Sequence, residues 1–345
     1  MSGFVQTVLG PIHSEVLGPT LTHEHLLIDF TVMFKQPLKA TDRFKALQPV
    51  SIQNLGWVRY DPFRNKDNLE LLNEQDTISE VLLLKQSGGN GLVDATTFGI
   101  GRDPMALARI SRATNLNIIM GAGYYVDAVH PHDMDIKSEI SLAETIIGEI
   151  TVGVDDTMVK AGIIGEIGCS WPLTKNEHKV LKASALAQLE TGTSILIHPG
   201  RNEKAPFEIL EILGNSGADL TRVIMGHLER TIYDTPSLLK LAKSGCCLEF
   251  DLFGWETSYY PLSDNDMVND TRRIELINIL IDNGYVDKIT LGHDVFSKHR
   301  LVKYGGHGYS HIMNNIVPRM SKSGISENDI QTILVKNPAR LLTVL

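Results

Sequence analysis

Cysteine is scarce in this sequence, and its distribution excludes the usual cysteine-based sites. The 345 residues include three cysteines, Cys169, Cys246 and Cys247, and no two of them have the CxxC spacing. Neighbouring residues of a strand point to opposite faces, so Cys246 and Cys247 do not share one side. We therefore expect neither a disulfide framework nor a cysteine–zinc site, but free buried thiols in a reducing compartment.

Long apolar runs and the pattern of a cleavable leader are also missing from the sequence. No stretch approaches the roughly 18 uninterrupted apolar residues that a membrane span needs. The N-terminal segment MSGFVQTVLGPIHSEVLG has no basic start followed by an apolar run, which is the pattern of a signal peptide. The sequence therefore predicts a soluble cytoplasmic protein, located in the cytosol, with no membrane partner.

An excess of positive charge is likewise absent. The formal net charge is -9 and the isoelectric point is about 5.7, whereas nucleic-acid-binding proteins normally have a basic surface. We therefore expect no nucleic-acid partner. A local cationic pocket for a small anion is still compatible with an acidic total.

What the sequence does contain is a repeat of short apolar runs, each followed by a segment with helical spacing of its apolar residues. Eight such alternations predict an α/β protein with a parallel sheet, and eight strands close a (β/α)8 TIM barrel. The alternative is an open doubly wound sheet, but Gly88, Gly89 and Gly91 precede their strand instead of following it. The runs are Pro19–His25, Gly91–Thr97, Asn117–Gly123, Gly162–Gly168, Ser194–Gly200, Arg222–Leu228, Cys246–Gly254 and Lys288–Asp294.

Two segments do not fit the repeat. Residues 30–75 form a polar and aromatic insertion after the first strand, and residues 295–315 form a long loop after the last. Both follow strands, so both are predicted to border the face of the barrel that carries active sites. We expect residues 1–345 to form a single metal-dependent hydrolase domain. A boundary near residue 75 is the weaker alternative, because the first strand precedes it.

Histidine and carboxylate side chains mark the ends of five predicted strands. His23 and His25 are two residues apart on one strand and therefore project to one side, the barrel interior. Any one of these residues alone is more often a hydrogen-bonded core residue than a metal ligand, but their conjunction in a barrel predicts a metal site. Imidazole and carboxylate are typical zinc ligands. The six candidates are His23, His25, Glu166, His198, His227 and Asp294.

Other histidines and one cysteine have simpler interpretations. His293 precedes Asp294 and should face away from it, in a packing or supporting role. His307 and His311 lie in the final loop, where solvent exposure is expected. Cys169 is interpreted as a buried thiol, because no neighbouring feature of the sequence lowers its pKa.

Longer motifs around these residues resemble a known family. TLTHEH, GIIGEIGCSWPLT, ILIHPGR, GHLERT, LEFDLFG and KYGGHGYSHI are similar to motifs of the phosphotriesterase-related proteins, a branch of the amidohydrolase superfamily. The resemblance extends from about Val5 to the C-terminus. It implies a barrel with two divalent metal ions per chain, expected to be zinc.

The resemblance also implies how the ligands are divided. His23, His25 and Asp294 would hold the more buried ion, and His198 and His227 the more exposed one. Glu166 occupies the position at which bacterial phosphotriesterases carry a carboxylated lysine that bridges the two metals. Its carboxylate supplies the same charge and two oxygens.

The activity that the resemblance implies is amide hydrolysis. Members of this branch hydrolyse N-acetyltaurine to acetate and taurine, and other N-acetylated amino acids more weakly. Attack by a metal-bridging hydroxide is expected, with Asp294 as general base and then general acid. A lactonase or phosphotriesterase is the first alternative, although Leu252 replaces the arginine of related lactonases. A metal-binding scaffold without catalysis is the second.

A small anionic N-acyl substrate would require cationic partners near the metals. Arg201 follows His198 by three residues, and Arg230 follows His227 by three. Tyr125, after the third strand, is the expected pocket aromatic or oxyanion donor. Each arginine could instead be a solvated charge or support its loop through a salt bridge. A homodimer is compatible with the sequence, which does not determine the oligomeric state.

Overall fold

The computed structural model describes residues 3–344 and contains a central sheet of eight parallel strands. The strands are β1 (Phe4–Thr7), β2 (Gly10–His13), β3 (Thr20–Glu24), β4 (Ile28–Asp29), β5 (Glu70–Leu71), β6 (Gly91–Asp94), β7 (Asn117–Ala122), β8 (Ile163–Gly168), β9 (Ile195–His198), β10 (Val223–Met225), β11 (Cys247–Phe250), β12 (Ile289–Leu291) and β13 (Thr343–Val344). The central sheet consists of β3 and β6 to β12, which neighbour one another in chain order.

Hydrogen bonds of the first strand with the last strand and with the residues directly after it close this sheet into a barrel. Thr22 Oγ1 donates to the carbonyl oxygen of Leu291 at 3.2 Å, and the backbone N–H of Asp294 donates to that of His23 at 3.1 Å. The predicted (β/α)8 barrel is therefore confirmed, and the open doubly wound sheet is excluded.

Helices follow the barrel strands and cover their outer faces. The helix Lys175–Thr191 begins with a capping box, in which the Thr174 hydroxyl accepts a hydrogen bond from the backbone N–H of Glu177 and the Glu177 carboxylate accepts one from the backbone N–H of Thr174. The helices are α1 (Leu55–Tyr60), α2 (Glu74–Gln86), α3 (Pro104–Thr114), α4 (Glu139–Thr151), α5 (Lys175–Thr191), α6 (Ala205–Asn215), α7 (Thr235–Lys243), α8 (Asp270–Asp282), α9 (Val317–Lys322), α10 (Glu327–Gln331) and α11 (Asn337–Leu342).

Alternation along the strands divides the core into two layers. In β9, Ile195 and Ile197 pack toward the helices, whereas Leu196 packs inside the barrel. Cys246 and Cys247 illustrate the same rule, since the first contacts the outer core and the second the interior. Apolar side chains therefore fill much of the lower interior.

The two ends of the barrel differ in their covering. At the amino ends of the strands, β1 pairs with β2 and β13 in a small antiparallel sheet. At the opposite end, the 30–75 insertion is anchored to the loop after β12 by the ion pair of Lys298 with Asp67 at 2.6 Å. The segment between β11 and α8, residues 251–269, also covers this end. No helix within residues 3–344 has the length and apolar character needed to cross a lipid bilayer.

Candidate active site

The structure brings the six predicted metal-competent side chains together at the carboxyl ends of the strands. All six residues are almost completely buried. His23 and His25 lie on or directly after β3, Glu166 within β8, and His198 at the end of β9. His227 and Asp294 follow β10 and β12 by two and three residues, respectively.

Glu166 lies at the centre of this cluster. Its Oε1 is 3.2 Å from His25 Nε2, and its Oε2 is 2.9 Å from His198 Nδ1 and 3.3 Å from His23 Nε2. Burial alone would raise the pKa of Glu166, but the neighbouring charges of His23 and His198 outweigh it and hold that pKa well below its usual range. The carboxylate is therefore ionised and faces ligand atoms with both of its oxygens.

The arrangement of ligand atoms suits metal ions. Atoms of His23, His25 and Asp294 lie within 4.8 Å of one another, as do atoms of His23, Glu166 and His227. Nε2 of His23 is completely buried and has no hydrogen-bond partner among residues 3–344. A buried imidazole nitrogen that faces carboxylates without such a partner fits a metal ligand.

Two of the cluster residues have left-handed backbone conformations. The φ angles of His227 and Asp294 are 54° and 51°, a region that residues other than glycine rarely adopt. Such conformations cost free energy and concentrate at functional sites. Both residues follow the last regular position of their strand, and the turn directs their side chains into the cluster.

Asp251, which the sequence interpretation missed, supports two of the histidines. Its Oδ2 is 2.9 Å from Nδ1 of His23 and its Oδ1 is 2.8 Å from Nδ1 of His227. With a neutral imidazole, a hydrogen bond at Nδ1 leaves Nε2 as the free ligand nitrogen. Burial would raise the pKa of Asp251, but these two histidines outweigh it and lower that pKa. The sequence does contain a signal for Asp251, which is an acidic residue at the end of the apolar run LEFD.

Four other residues that the sequence analysis considered lie outside the cluster: His293, His307, His311 and Cys169. His293 faces away as expected, with Nδ1 2.6 Å from Glu24 Oε1. The expectation for His307 agrees with its exposed position, but that for His311 is wrong. His311 is buried because its Nε2 bonds Asp270 Oδ2 at 2.7 Å. Burial raises the pKa of the Cys169 thiol well above its usual value, as expected for an inert cysteine.

A narrow pocket, called the metal pocket below, lies directly above the cluster. It encloses about 20 Å³, which is room for roughly one water molecule. Arg201 lines this pocket and also a wider outer cavity of about 1030 Å³, so its side chain stands at the boundary between them. Besides the cluster, the inner pocket is lined by Phe30, Phe63, Tyr125, Arg201, Arg230, Trp255, Tyr260 and Phe296.

The three predicted substrate residues all belong to this pocket. The hydroxyl of Tyr125 is 3.3 Å from His198 Nδ1. Arg201 donates through Nε to the hydroxyl of Tyr260 at 2.7 Å, and Arg230 donates to the carbonyl oxygen of Pro199 at 3.2 Å. The salt bridge considered for the arginines is not observed, because neither has a carboxylate within 4.0 Å in residues 3–344.

The wall of the pocket is therefore cationic. Burial lowers the pKa of Arg230, and the nearby charge of Arg201 lowers it further. Tyr260 and Trp255 complete this wall, and the sequence interpretation overlooked both. Their signal was the aromatic stretch FGWETSYYP between β11 and α8, a third long segment at the active face of the barrel.

A (β/α)8 barrel that holds a metal-binding site at the carboxyl ends of its strands defines this protein as a metal-dependent hydrolase. Comparison with known proteins identifies the family. A sequence model of the phosphotriesterase family matches residues 3–342, and the chain belongs to that family.

Individual relatives match over nearly their whole length. The N-acetyltaurine hydrolase of Xenopus tropicalis is 48% identical and that of Homo sapiens 46%, in each case over 99% of this chain and 99% of the relative. The crystal structure of a resiniferatoxin-binding protein from Rhodobacter sphaeroides superposes with a TM-score of 0.96 at 36% identity. That match covers 99% of this chain and 95% of the other.

Proposed function

We propose that this protein hydrolyses the amide bond of N-acetyltaurine to acetate and taurine. Two observations support the proposal. Relatives at 46–48% identity are named N-acetyltaurine hydrolase. The observation that carries it for this chain is the pair of arginines, Arg201 and Arg230, which face the metal pocket without a carboxylate partner in residues 3–344.

Two zinc ions fit the donor set best. Six candidate ligands exceed the four of a tetrahedral site, and imidazole with carboxylate is a typical zinc set. The ions would be held by His23, His25 and Asp294, by His198 and His227, and by Glu166 shared between both groups. When bound, they supply an activated water as nucleophile and polarise the substrate carbonyl.

Asp294 is the proposed proton carrier. Its carboxylate lines the pocket, with Oδ1 3.3 Å from His25 Nε2, and is the most exposed carboxylate of the cluster. It would accept the proton of the attacking water and pass it to the departing nitrogen. An amide requires this second transfer, because an amine anion is a very poor leaving group.

Tyr125 is the proposed donor to the substrate carbonyl oxygen. Burial raises the pKa of its phenol well above the usual value, and the charge of Glu166 adds to this. The hydroxyl therefore stays protonated and can donate a hydrogen bond to developing negative charge. Such preorganised donors stabilise tetrahedral oxyanions in buried sites.

Arg201 and Arg230 are the proposed partners of the sulfonate. An acetyl group at the metals leaves a two-carbon tail that ends in a tetrahedral anion. Arg201 already uses Nε for Tyr260, so its two terminal nitrogens are the ones available to the pocket. Carboxylates of other N-acetyl amino acids would use the same donors.

Paired substrates test this assignment. Arg201→Ala should lower kcat/KM for N-acetyltaurine by about ten- to a hundredfold, since charge-assisted bonds are worth about 1.5–3 kcal/mol each. Hydrolysis of N-acetylethanolamine, the neutral analogue of similar length, should change little. Equal losses on both substrates would show that Arg201 only supports its loop.

The reaction class is tested separately with the unmodified protein. Hydrolysis of N-acetyltaurine should disappear after treatment with a chelator and return when zinc is added. A panel containing a lactone and a phosphotriester distinguishes the alternatives that the metal centre would also support. Turnover of the lactone or phosphotriester without amide hydrolysis would overturn the proposal, and inactivity on all three would favour a scaffold.

A further inference from the structure

The insertion after the first barrel strand carries a dense group of exposed apolar side chains. Leu38 is 85% exposed, Phe44 59%, Leu47 71% and Ile52 84%. Single exposed apolar side chains are common on protein surfaces, whereas a group of them marks an interaction surface. The segment that carries the four, residues 34–60, is called the rim segment below.

These side chains are exposed on a folded part of the chain. Ala46, which precedes Leu47, is buried. The side-chain amide of Asn65 is also buried and donates to the carbonyl oxygens of Lys45 at 2.8 Å and of Gln48 at 2.9 Å. The backbone is therefore fixed on both sides of Leu47, and the exposure of this side chain is a property of the fold.

A surface cavity of about 540 Å³ connects three of the four apolar positions. Phe44 lines this cavity, and Ile52 lies between two of the lining residues, at positions 51 and 53. Leu47 directly precedes a further lining residue, at position 48. The three side chains therefore belong to one region of the surface.

The rim segment is basic, although the protein as a whole is acidic. It contains five basic residues and one acidic residue, a net charge of +4, whereas the whole chain has -9 and the rest of the chain therefore -13. Lys35, Lys39 and Arg43 are exposed, and among residues 3–344 none of them has a carboxylate oxygen within 4.0 Å. Lys45, by contrast, pairs with Asp42 at 2.9 Å.

The rim segment lies at the face of the barrel that carries the metal pocket. Phe30 and Phe63, which flank the segment in the sequence, both line that pocket. The backbone N–H of His299, in the loop after β12, donates to Asn68 Oδ1 at 2.9 Å and holds the insertion against that loop. A partner bound to the rim segment would therefore lie on the same face as the active site.

We propose that the rim segment docks on the surface of a lipid bilayer that contains anionic phospholipid. Apolar side chains next to basic ones are the pattern of interfacial binding, in which the apolar groups enter the headgroup boundary and the cations meet the lipid phosphates. The expectation of no membrane partner rested on the lack of a membrane span, which surface docking does not need. The docking is also independent of the substrate that the metal centre hydrolyses.

The charge of the segment favours lipid over a second copy of this chain. In a dimer with twofold symmetry the same surface patch meets itself, so two segments of net charge +4 would face each other. Like charges placed opposite each other destabilise an interface. An anionic bilayer supplies the opposite charge, and it repels the acidic remainder of the molecule, so the rim segment would be the part that faces the lipid.

Vesicle flotation with the metal-loaded protein tests the proposal. Vesicles of phosphatidylcholine alone are compared with mixed vesicles in which about a third of the lipid is phosphatidylserine. At low ionic strength the mixed vesicles should bind the protein at least ~tenfold more strongly. Sodium chloride at about 0.5 M should reduce this difference, because salt screens exposed charges. An absence of binding to the mixed vesicles would overturn the proposal.

Two double variants separate the ionic and the apolar contributions. Lys39→Gln with Arg43→Gln should weaken binding to mixed vesicles by roughly tenfold or more, because each basic residue near an anionic surface contributes about fivefold. Leu47→Ser with Ile52→Ser should weaken it by roughly tenfold or more, because apolar burial in the headgroup boundary is lost. All four residues are exposed, so both variants should melt at the temperature of the parent.

Ile136→Ser and Lys322→Gln are the matched controls. Ile136 is 87% exposed and Lys322 is also exposed, but both lie outside the rim segment. Their binding to mixed vesicles should equal that of the parent. The rim segment is not the docking surface if these controls lose as much binding as the double variants, or if the double variants bind like the parent.

An environment-sensitive fluorophore locates the contact. The three native cysteines are buried, so Ile52→Cys and Ile136→Cys can each be labelled selectively. Mixed vesicles should shift the emission of the label at position 52 to shorter wavelength and leave that at position 136 unchanged. A shift at position 52 that needs no vesicles and grows with protein concentration would assign the segment to a second copy of the chain, and would overturn the proposal.

Discussion

At the scale of single residues, Glu166 has the clearest role to test. Its two oxygens face three histidines at 2.9–3.3 Å. In the proposed two-ion site, Glu166→Ala would leave the two cations without a shared counter-charge, so metal content should fall to half of the parent's or less. We expect kcat to fall by about 10³-fold, since metal activation contributes several kcal/mol.

Metal analysis by mass spectrometry and a hydrolysis assay measure both effects. Glu166→Gln serves as the matched variant, because it keeps the size of the side chain and removes only its charge. It should lose metal as well. Normal metal content and rate in Glu166→Ala would show that this carboxylate does not bridge ions.

Asp251 makes a different prediction, because it would act through the histidines it orients. Asp251→Asn should weaken metal binding by about 10–100-fold, the usual cost of losing a partner that orients a ligand. Zinc titration in competition with a chromogenic chelator gives the affinity. Glu249→Gln is the control, because the Glu249 carboxylate is 3.5 Å from His23 Nδ1 and makes a weaker contact. Equal affinities in Asp251→Asn and the parent would contradict the orienting role.

At the scale of elements, the segment between β11 and α8 supplies the wall that positions Arg201. Tyr260 is 1% exposed and accepts the Nε hydrogen of Arg201. Tyr260→Phe removes this bond, worth about 1 kcal/mol, so KM for N-acetyltaurine should rise by roughly three- to tenfold while kcat stays unchanged. Hydrolysis of neutral N-acetylethanolamine should be unaffected.

The neighbouring Tyr259→Phe is the control for this element. Tyr259 is 38% exposed and stacks on Tyr60 of the insertion instead of binding Arg201. Its kinetic constants should match those of the parent. A fall in kcat with both substrates for Tyr260→Phe would indicate a general distortion of the pocket.

At the scale of the whole molecule, the packed barrel should make all three thiols unreactive. Burial raises the pKa of Cys246 to about 11 and that of Cys247 to about 12, so little thiolate exists at pH 8 in the folded state. Unfolding restores an ordinary thiol pKa of about 8.5 and exposes the sulfur atoms. Ellman's reagent at pH 8 should therefore detect no thiol in the folded protein and three in guanidinium. One thiol that reacts rapidly without loss of activity would contradict this packing.

Much of the barrel could be predicted from the sequence because its signals are local. The apolar run before His198 depends on neighbouring residues alone, and it agrees with the strand Ile195–His198 of the structure. The six metal-competent residues were identifiable for a related reason. They stand at strand ends, and the carboxyl ends of parallel strands meet at one face whenever the barrel forms.

Other features were decided by the tertiary structure, because they depend on where distant segments return. His311 was expected to be exposed, yet Asp270 of α8, 41 residues away, binds it in the core. Asp251 reaches His23 across 228 residues of sequence, and Tyr260 meets Arg201 across 59. Periodicity along the chain fixes which side of a strand or helix a residue occupies. It carries no information about which distant segment lies opposite, and these partners belong to segments that only the fold brings into contact.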